Sequence, residues 1–225
     1  MAGSVQPRQL ALALPHAESL TRDNFLEGPA NEAALTLVES WPDWPNRIML
    51  LAGEEGSGKS HLAAIWAEQS GARVASAQAM NAAAVPSALA TGALVLEDLK
   101  PGGFDERALF HLMNMAREET ASLLITSRLA PSAYEIELRD LRSRLRAVPV
   151  VLLAPPDDQL FRALLVKFCA DRQLAVDESL VGYLVSRIER SYAAARQTVG
   201  LLDTEALRLG RPVTRALAAE LLRDT

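Results

Sequence analysis

The stretch that most constrains this chain is Gly53-Glu54-Glu55-Gly56-Ser57-Gly58-Lys59-Ser60, a complete GxxxxGK[ST] run. Before it, Arg47-Ile48-Met49-Leu50-Leu51-Ala52 is a short apolar segment of strand type. After it, His61-Leu62-Ala63-Ala64-Ile65-Trp66-Ala67-Glu68 reads as a helix. Strand, glycine turn and helix start, in that order, aim successive backbone N–H groups at one anion, and the positive end of the new helix adds to them. Gly53, Gly56, Ser57 and Gly58 form the turn, Lys59 is placed to neutralise the β- and γ-phosphates of a nucleotide, and the Ser60 hydroxyl is placed to ligate Mg²⁺. A glycine-rich turn before an ordinary helix is the bland alternative, and the full eight-position match argues against it. Glu54 and Glu55 put negative charge beside a phosphate site. They are compatible with it if their side chains point outward, since only their backbone must face the ligand.

A second acidic feature fits the first. Gly92 introduces Ala93-Leu94-Val95-Leu96-Glu97-Asp98, a buried strand with carboxylates at its C-terminal tip, which in an open parallel sheet is the ligand side. This is the form of a Walker B strand: Glu97 holds Mg²⁺ directly or through water and Asp98 orients the attacking water. A strand ending in a solvated acidic turn is the alternative. Ser122-Leu123-Leu124-Ile125-Thr126-Ser127 is another apolar strand, whose polar end is placed to sense a γ-phosphate, although strands often end in Ser or Thr for turn reasons alone.

Composition narrows the class. An apolar fraction of 49% over 225 residues supplies a sizeable core. A net charge of −5 argues against a dedicated nucleic-acid surface. The lone Cys169 excludes an internal disulfide framework and predicts a reducing, cytoplasmic setting, and no run approaches the length of a membrane span. At the N-terminus, Gln9-Leu10-Ala11-Leu12-Ala13-Leu14 alternates so that an extended conformation puts Leu10, Leu12 and Leu14 on one side. Such a segment is either a docking peptide or an edge strand of its own domain.

Phe25 to Asn31 is turn-rich, and Asn31 is expected to cap a helix over residues 32–39. Weak strand signals occur at 72–75, residues 78–89 read as irregular, and Phe104 to Glu119 reads as an amphipathic helix with Leu109, Leu112, Met113 and Ala116 on one face. Residues 139–146 carry four arginines on a helix whose leucines share a face. A last strand is expected over 147–153, and Ala154-Pro155-Pro156 makes a rigid break. Everything beyond reads as helical, with Asp177 and Ser191 as caps and Gly210-Arg211-Pro212 as a breaker. The expected organisation is a flexible N-terminal peptide over 1–20, a nucleotide-binding αβα domain over 21–154 and a helical lid over 155–225.

Together these pieces resemble the AAA+ class of P-loop ATPases, more closely the bacterial replication initiator DnaA, and closer still the Hda family of short DnaA-like regulatory inactivators, HdaA in alphaproteobacteria. The resemblance runs from Gln9 to the C-terminus. It is carried by residues 53–60 followed by His61-Leu62, by Glu97-Asp98, by Leu124-Ile125-Thr126-Ser127, by Leu141-Arg142-Ser143-Arg144-Leu145 and by Arg196. It implies an α/β fold, an AAA+ αβα sandwich on a five-stranded parallel sheet followed by a small all-α lid. It implies ADP or ATP with Mg²⁺ as cofactor, with His61 in the binding run and with Phe25 and Asn31 in a linker that wraps the adenine. Arg144 becomes an arginine finger, Arg196 a sensor II arginine, and residues 9–14 a QLxLxL peptide that binds the sliding clamp, the beta subunit of DNA polymerase III.

The implied function is negative regulation of replication initiation: docked on the clamp, the protein offers Arg144 to ATP bound by DnaA. No direct specific DNA binding and no membrane association are expected, since the chain has room for neither the oligomerisation domain nor the helix-turn-helix of the initiator. A self-dimer that buries the leucine peptide is left open. Three departures from the pattern point to weak hydrolysis by the protein itself: Glu97 in place of Asp, Arg128 after Ser127 in place of an acid, and Glu54-Glu55 in the loop. A helicase loader that runs its own ATP cycle is the alternative, and a small-molecule P-loop kinase is a more distant one.

Overall fold

Short apolar runs punctuated by glycine, proline and polar residues become strands. β1 (Ile48–Ala52), β2 (Arg73–Ser76), β3 (Ala93–Leu99), β4 (Ser122–Ser127) and β5 (Val150–Leu152) form one sheet in the order β2-β3-β4-β1-β5, and every neighbouring pair is parallel. The computed structural model describes residues 20–223, so the leucine segment 9–14 lies outside the described residues. β1 and β4 are buried at every position, which a parallel sheet covered on both faces requires.

Strand alternation divides the sheet's side chains between two layers. Met49, Leu51, Val95 and Leu124 pack with α1 (Glu32–Glu39) and α2 (Lys59–Ser70), around the buried Trp66. Ile48, Leu50, Leu94, Leu96, Leu123 and Ile125 pack on the opposite face with α3 (Val85–Ala88), α4 (Glu106–Glu118) and α5 (Arg139–Arg146). The stretch expected to be irregular holds the single short turn of α3, with a proline in its first turn where no donor is lost. β5 is shorter than expected. Pro149 has no N–H to give, so it joins the sheet only as an acceptor, from the Leu50 N–H at 3.0 Å.

Four further helices follow: α6 (Asp158–Asp171), α7 (Glu178–Val185), α8 (Tyr192–Leu209) and α9 (Arg215–Leu221). They bury their own core, centred on Phe161, Leu165, Leu180, Val199 and Leu217, with Cys169 inside it. Each begins on a side-chain cap: the Asp157, Asp177, Ser191 and Thr214 oxygens accept from Leu160, Leu180, Ala194 and Leu217 N–H groups. Asn31 departs from the expected capping of α1: it stands at the cap position but makes no capping bond. Among the described residues no helix is long and apolar enough to cross a membrane.

Candidate functional site

The glycine loop leaves the end of β1, in the interior of the sheet, and is stitched to the end of β4 by the Gly53 N–H, which donates to the Ser127 carbonyl at 3.2 Å. Gly56 and Gly58 have φ of +74° and +98°, a region in which a side chain is strained. A Cβ on Gly56 would come within 2.6 Å of the Ala193 Cβ. The Lys59 ammonium folds over the loop and donates to the carbonyls of Gly53 at 2.8 Å and Glu54 at 2.7 Å. Burial pushes its pKa below the usual lysine value, with the Asp98 carboxylate the strongest opposing charge.

A cavity of about 190 Å³ opens above this loop, lined by Leu20, Gly56, Gly58, Lys59, Ser60, His61, Tyr192, Ala193 and Arg196. The linker before α1 forms its flank. Phe25 is buried edge-on against His61 with ring centres 5.2 Å apart, and the His61 Nε2 donates to the Thr21 carbonyl at 2.9 Å.

Asn31 is buried and uses its side chain three ways. Its Oδ1 accepts from the Gly28 N–H at 2.9 Å, and its Nδ2 donates to the Leu26 carbonyl at 2.9 Å and the Tyr192 hydroxyl at 2.7 Å. That is why it does not cap α1. Tyr192 in turn donates its backbone N–H to the Gly56 carbonyl at 2.8 Å, and burial pushes its phenol up to about 12. Sequence reading did not single out Tyr192. The one local signal was an aromatic directly after the Ser191 cap, which turns its first-turn position toward the loop.

The strand ends are arranged less simply than the sequence suggests. The β3–β4 register shifts between Leu96 and Leu99, and Asp98 takes φ +64°. Its N–H donates to the Thr126 Oγ1 at 3.0 Å, and its exposed carboxylate pairs with Lys100 at 2.7 Å. Glu97 stays in register with Ser76 and is half-buried. The Ser127 hydroxyl lies 2.5 Å from the Tyr134 hydroxyl, which reaches the Leu99 carbonyl at 2.6 Å, so these polar atoms serve the turn after β4. Arg128 pairs with Glu54 of the glycine loop, at 2.7 Å through Nε. Among the described residues no three His, Cys, Asp or Glu side chains gather to hold a metal. A Mg²⁺ ion near Ser60 and the β3 acids would therefore draw most of its octahedral oxygens from phosphate and water, its usual habit.

Arg144 lies elsewhere. Its guanidinium rests 4.7 Å over the Phe110 ring and donates to the Asn114 Oδ1, both on α4, and it does not line the cavity. Phe110 and Asn114 were not predicted as partners. Arg196 does line the cavity and also approaches the Phe168 ring at 5.9 Å. The structure thus brings together Gly56, Gly58, Lys59, Ser60, His61 and Arg196, sets Gly53, Ser57, Phe25 and Asn31 around them, and keeps Arg144 apart.

No family model matches the sequence. An uncharacterized Haemophilus influenzae protein is 25% identical over 228 residues, covering 96% of this chain and 98% of its own length. Domain III of the Thermotoga maritima replication initiation protein DnaA superposes with a TM-score of 0.71 at 21% identity, over 91% of this chain and 96% of that one. AMPPCP-bound DnaA from Aquifex aeolicus gives 0.66 at 19%, over 84% and 66%. The Thermotoga maritima RuvB Holliday junction branch migration motor gives 0.73 at 14%, over 91% and 72%. A five-stranded parallel sheet with its glycine loop on the interior strand and a helical unit trailing it is, on these likenesses, the AAA+ fold.

Proposed function

We propose that this protein is a nucleotide-bound AAA+ regulator of replication initiation, which docks on the sliding clamp through residues 9–14 and offers Arg144 to ATP held by DnaA. One observation carries the reading: the glycine loop, the linker and the first turn of α8 close on a single cavity, while the candidate finger sits on another element, out of its reach. A guanidinium so placed suits a partner's nucleotide. A planar cation supplied in trans to a phosphoryl group is worth about 10³–10⁵ in rate. The AMPPCP bound by a DnaA of the same fold supports ADP or ATP as the ligand here.

Each residue then has a role. The loop N–H groups and Lys59 hold the phosphates, Lys59 exchanging the Gly53 and Glu54 carbonyls for phosphate oxygens. Ser60 and Glu97 would hold Mg²⁺, which when bound would supply charge neutralisation to the phosphates. Arg196 approaches from the lid, Asn31 and Tyr192 fix the linker against it, and Phe25 packs the linker on His61. Asp98 is assigned to water orientation, and its exposed carboxylate is paired with Lys100 at 2.7 Å.

The test is hydrolysis of DnaA-bound ATP in the presence of clamp loaded on DNA, comparing wild type, Arg144→Ala and a Gln9→Ala/Leu10→Ala double change. Stimulation by wild type that is lost in both variants supports the reading. No stimulation, combined with helicase- or DNA-dependent turnover of the protein's own ATP, favours a loader instead.

A further inference from the structure

Arg128 is tied to the phosphate loop twice. Its preceding residue, Ser127, accepts the Gly53 N–H at 3.2 Å, so its backbone is stitched to the loop's first residue. Its guanidinium then donates to the Glu54 Oε2 through Nε at 2.7 Å and approaches it through Nη2 at 2.6 Å. Glu54 is joined in turn to Lys59, which holds its carbonyl at 2.7 Å. Arg128, Glu54 and Lys59 therefore converge on one end of the loop. Burial lowers the Lys59 pKa, and the charge of Arg128 acts in the same direction, so the two cations sense each other.

Both partners of the Arg128–Glu54 pair are more than half exposed, at 58% and 61%. Such a pair contributes at most about 1 kcal/mol. A guanidinium fork fits two phosphate oxygens as well as it fits a carboxylate, and a phosphate carries more charge.

We infer that Arg128 discriminates nucleoside triphosphate from diphosphate, and that Glu54 holds it in reserve as a carboxylate in place of a terminal phosphate. A diphosphate leaves the pair intact. A triphosphate must take Arg128 from Glu54. The protein is thereby biased toward the diphosphate form. This inference rests on the nucleotide-binding reading given above.

The experiment is equilibrium binding of ADP and AMPPCP to the full chain, wild type and Glu54→Gln, Arg128→Gln, their double change, and Lys59→Ala. The readout is the ratio of triphosphate to diphosphate affinity. Glu54→Gln is expected to raise that ratio about 5-fold, and Arg128→Gln to lower it about 5-fold, as an exposed charge contact of about 1 kcal/mol allows. In the double change the Glu54→Gln effect should shrink below about twofold if it acts through Arg128. Ratios unchanged in both single variants, with wild type binding both nucleotides and Lys59→Ala weakened, overturn the inference and spare the nucleotide reading. No binding by wild type, or full binding by Lys59→Ala, overturns both.

Discussion

Asn31 shows how far a single side chain can be committed. Replacing it with Ala removes three hydrogen bonds and leaves the Gly28 N–H and the Tyr192 hydroxyl to find other partners. At about 1–3 kcal/mol for each stranded buried group, urea unfolding should register a loss of about 2–4 kcal/mol. Tyr192→Phe removes only the 2.7 Å contact and should lose about 1 kcal/mol; an equal loss in both variants would show that the Gly28 and Leu26 contacts contribute nothing. Gly56→Ala combines a φ of +74° with the approach to Ala193, so it should displace the start of α8 and weaken nucleotide binding more than it weakens the fold. The glycines and Lys59 were legible in the sequence because their spacing is local. Tyr192 was not, because its meaning comes from a linker and a loop far away in the chain. Asn31 satisfied the local rule for a cap, but its Oδ1 is taken by the Gly28 N–H while its Nδ2 holds that distant hydroxyl.

At the scale of elements, α4 and α5 form one device. Glu106, Phe110 and Asn114 recur every four residues and so share a face of α4. Glu106 accepts from the Glu137 and Leu138 N–H groups at 3.0 and 2.7 Å, at the entrance to α5, while Phe110 and Asn114 hold Arg144 in its last turn. If Arg144 is the finger, Asn114→Ala should lower stimulation of DnaA-bound ATP hydrolysis several-fold with little change in unfolding midpoint, and Arg144→Ala should abolish it. Equal activity of Asn114→Ala and wild type would mean that the grip on Arg144 is incidental. The buried stripe of α4 was readable from apolar period alone, and Leu109, Leu112, Met113 and Ala116 are all buried. Its polar stripe was not, since nothing local says which helix lies alongside. Two caps of the helical unit, Asp177 and Ser191, were readable for the opposite reason, since a cap acts within its own turn, whereas Asp157 was read as part of the break before α6; Asp157→Ala or Asp177→Ala should each lose about 1 kcal/mol.

For the whole molecule, the five-stranded parallel sheet was expected from the resemblance, whereas the order β2-β3-β4-β1-β5 was not given by the residues themselves, because the strands are similarly apolar and pair by crossovers the sequence does not label. Ligand should stabilise the assembly by about 2.7 kcal/mol at a concentration 100-fold above Kd, read as a rise in melting temperature with ADP that Lys59→Ala lacks. Alkali should loosen it. Burial raises the Cys169 thiol from 9.0 to about 11 and the Tyr192 phenol from 10.0 to about 12. Both groups are held neutral by the fold, so their contributions are complete below pH 9.0 and 10.0 respectively and fade as pH passes about 11 and 12. A double Cys169→Ala/Tyr192→Phe change should flatten that alkaline decline. Cys169 has a further consequence. It is the chain's one thiol, and it is buried inside the core of helices α6 to α9. An alkylating reagent can mark it only when the helices part, and can mark each molecule once. The fraction labelled over time is therefore a clock for how often these helices open, and a ligand that fills the cavity lined by Gly56 and Tyr192 should make that clock run slow.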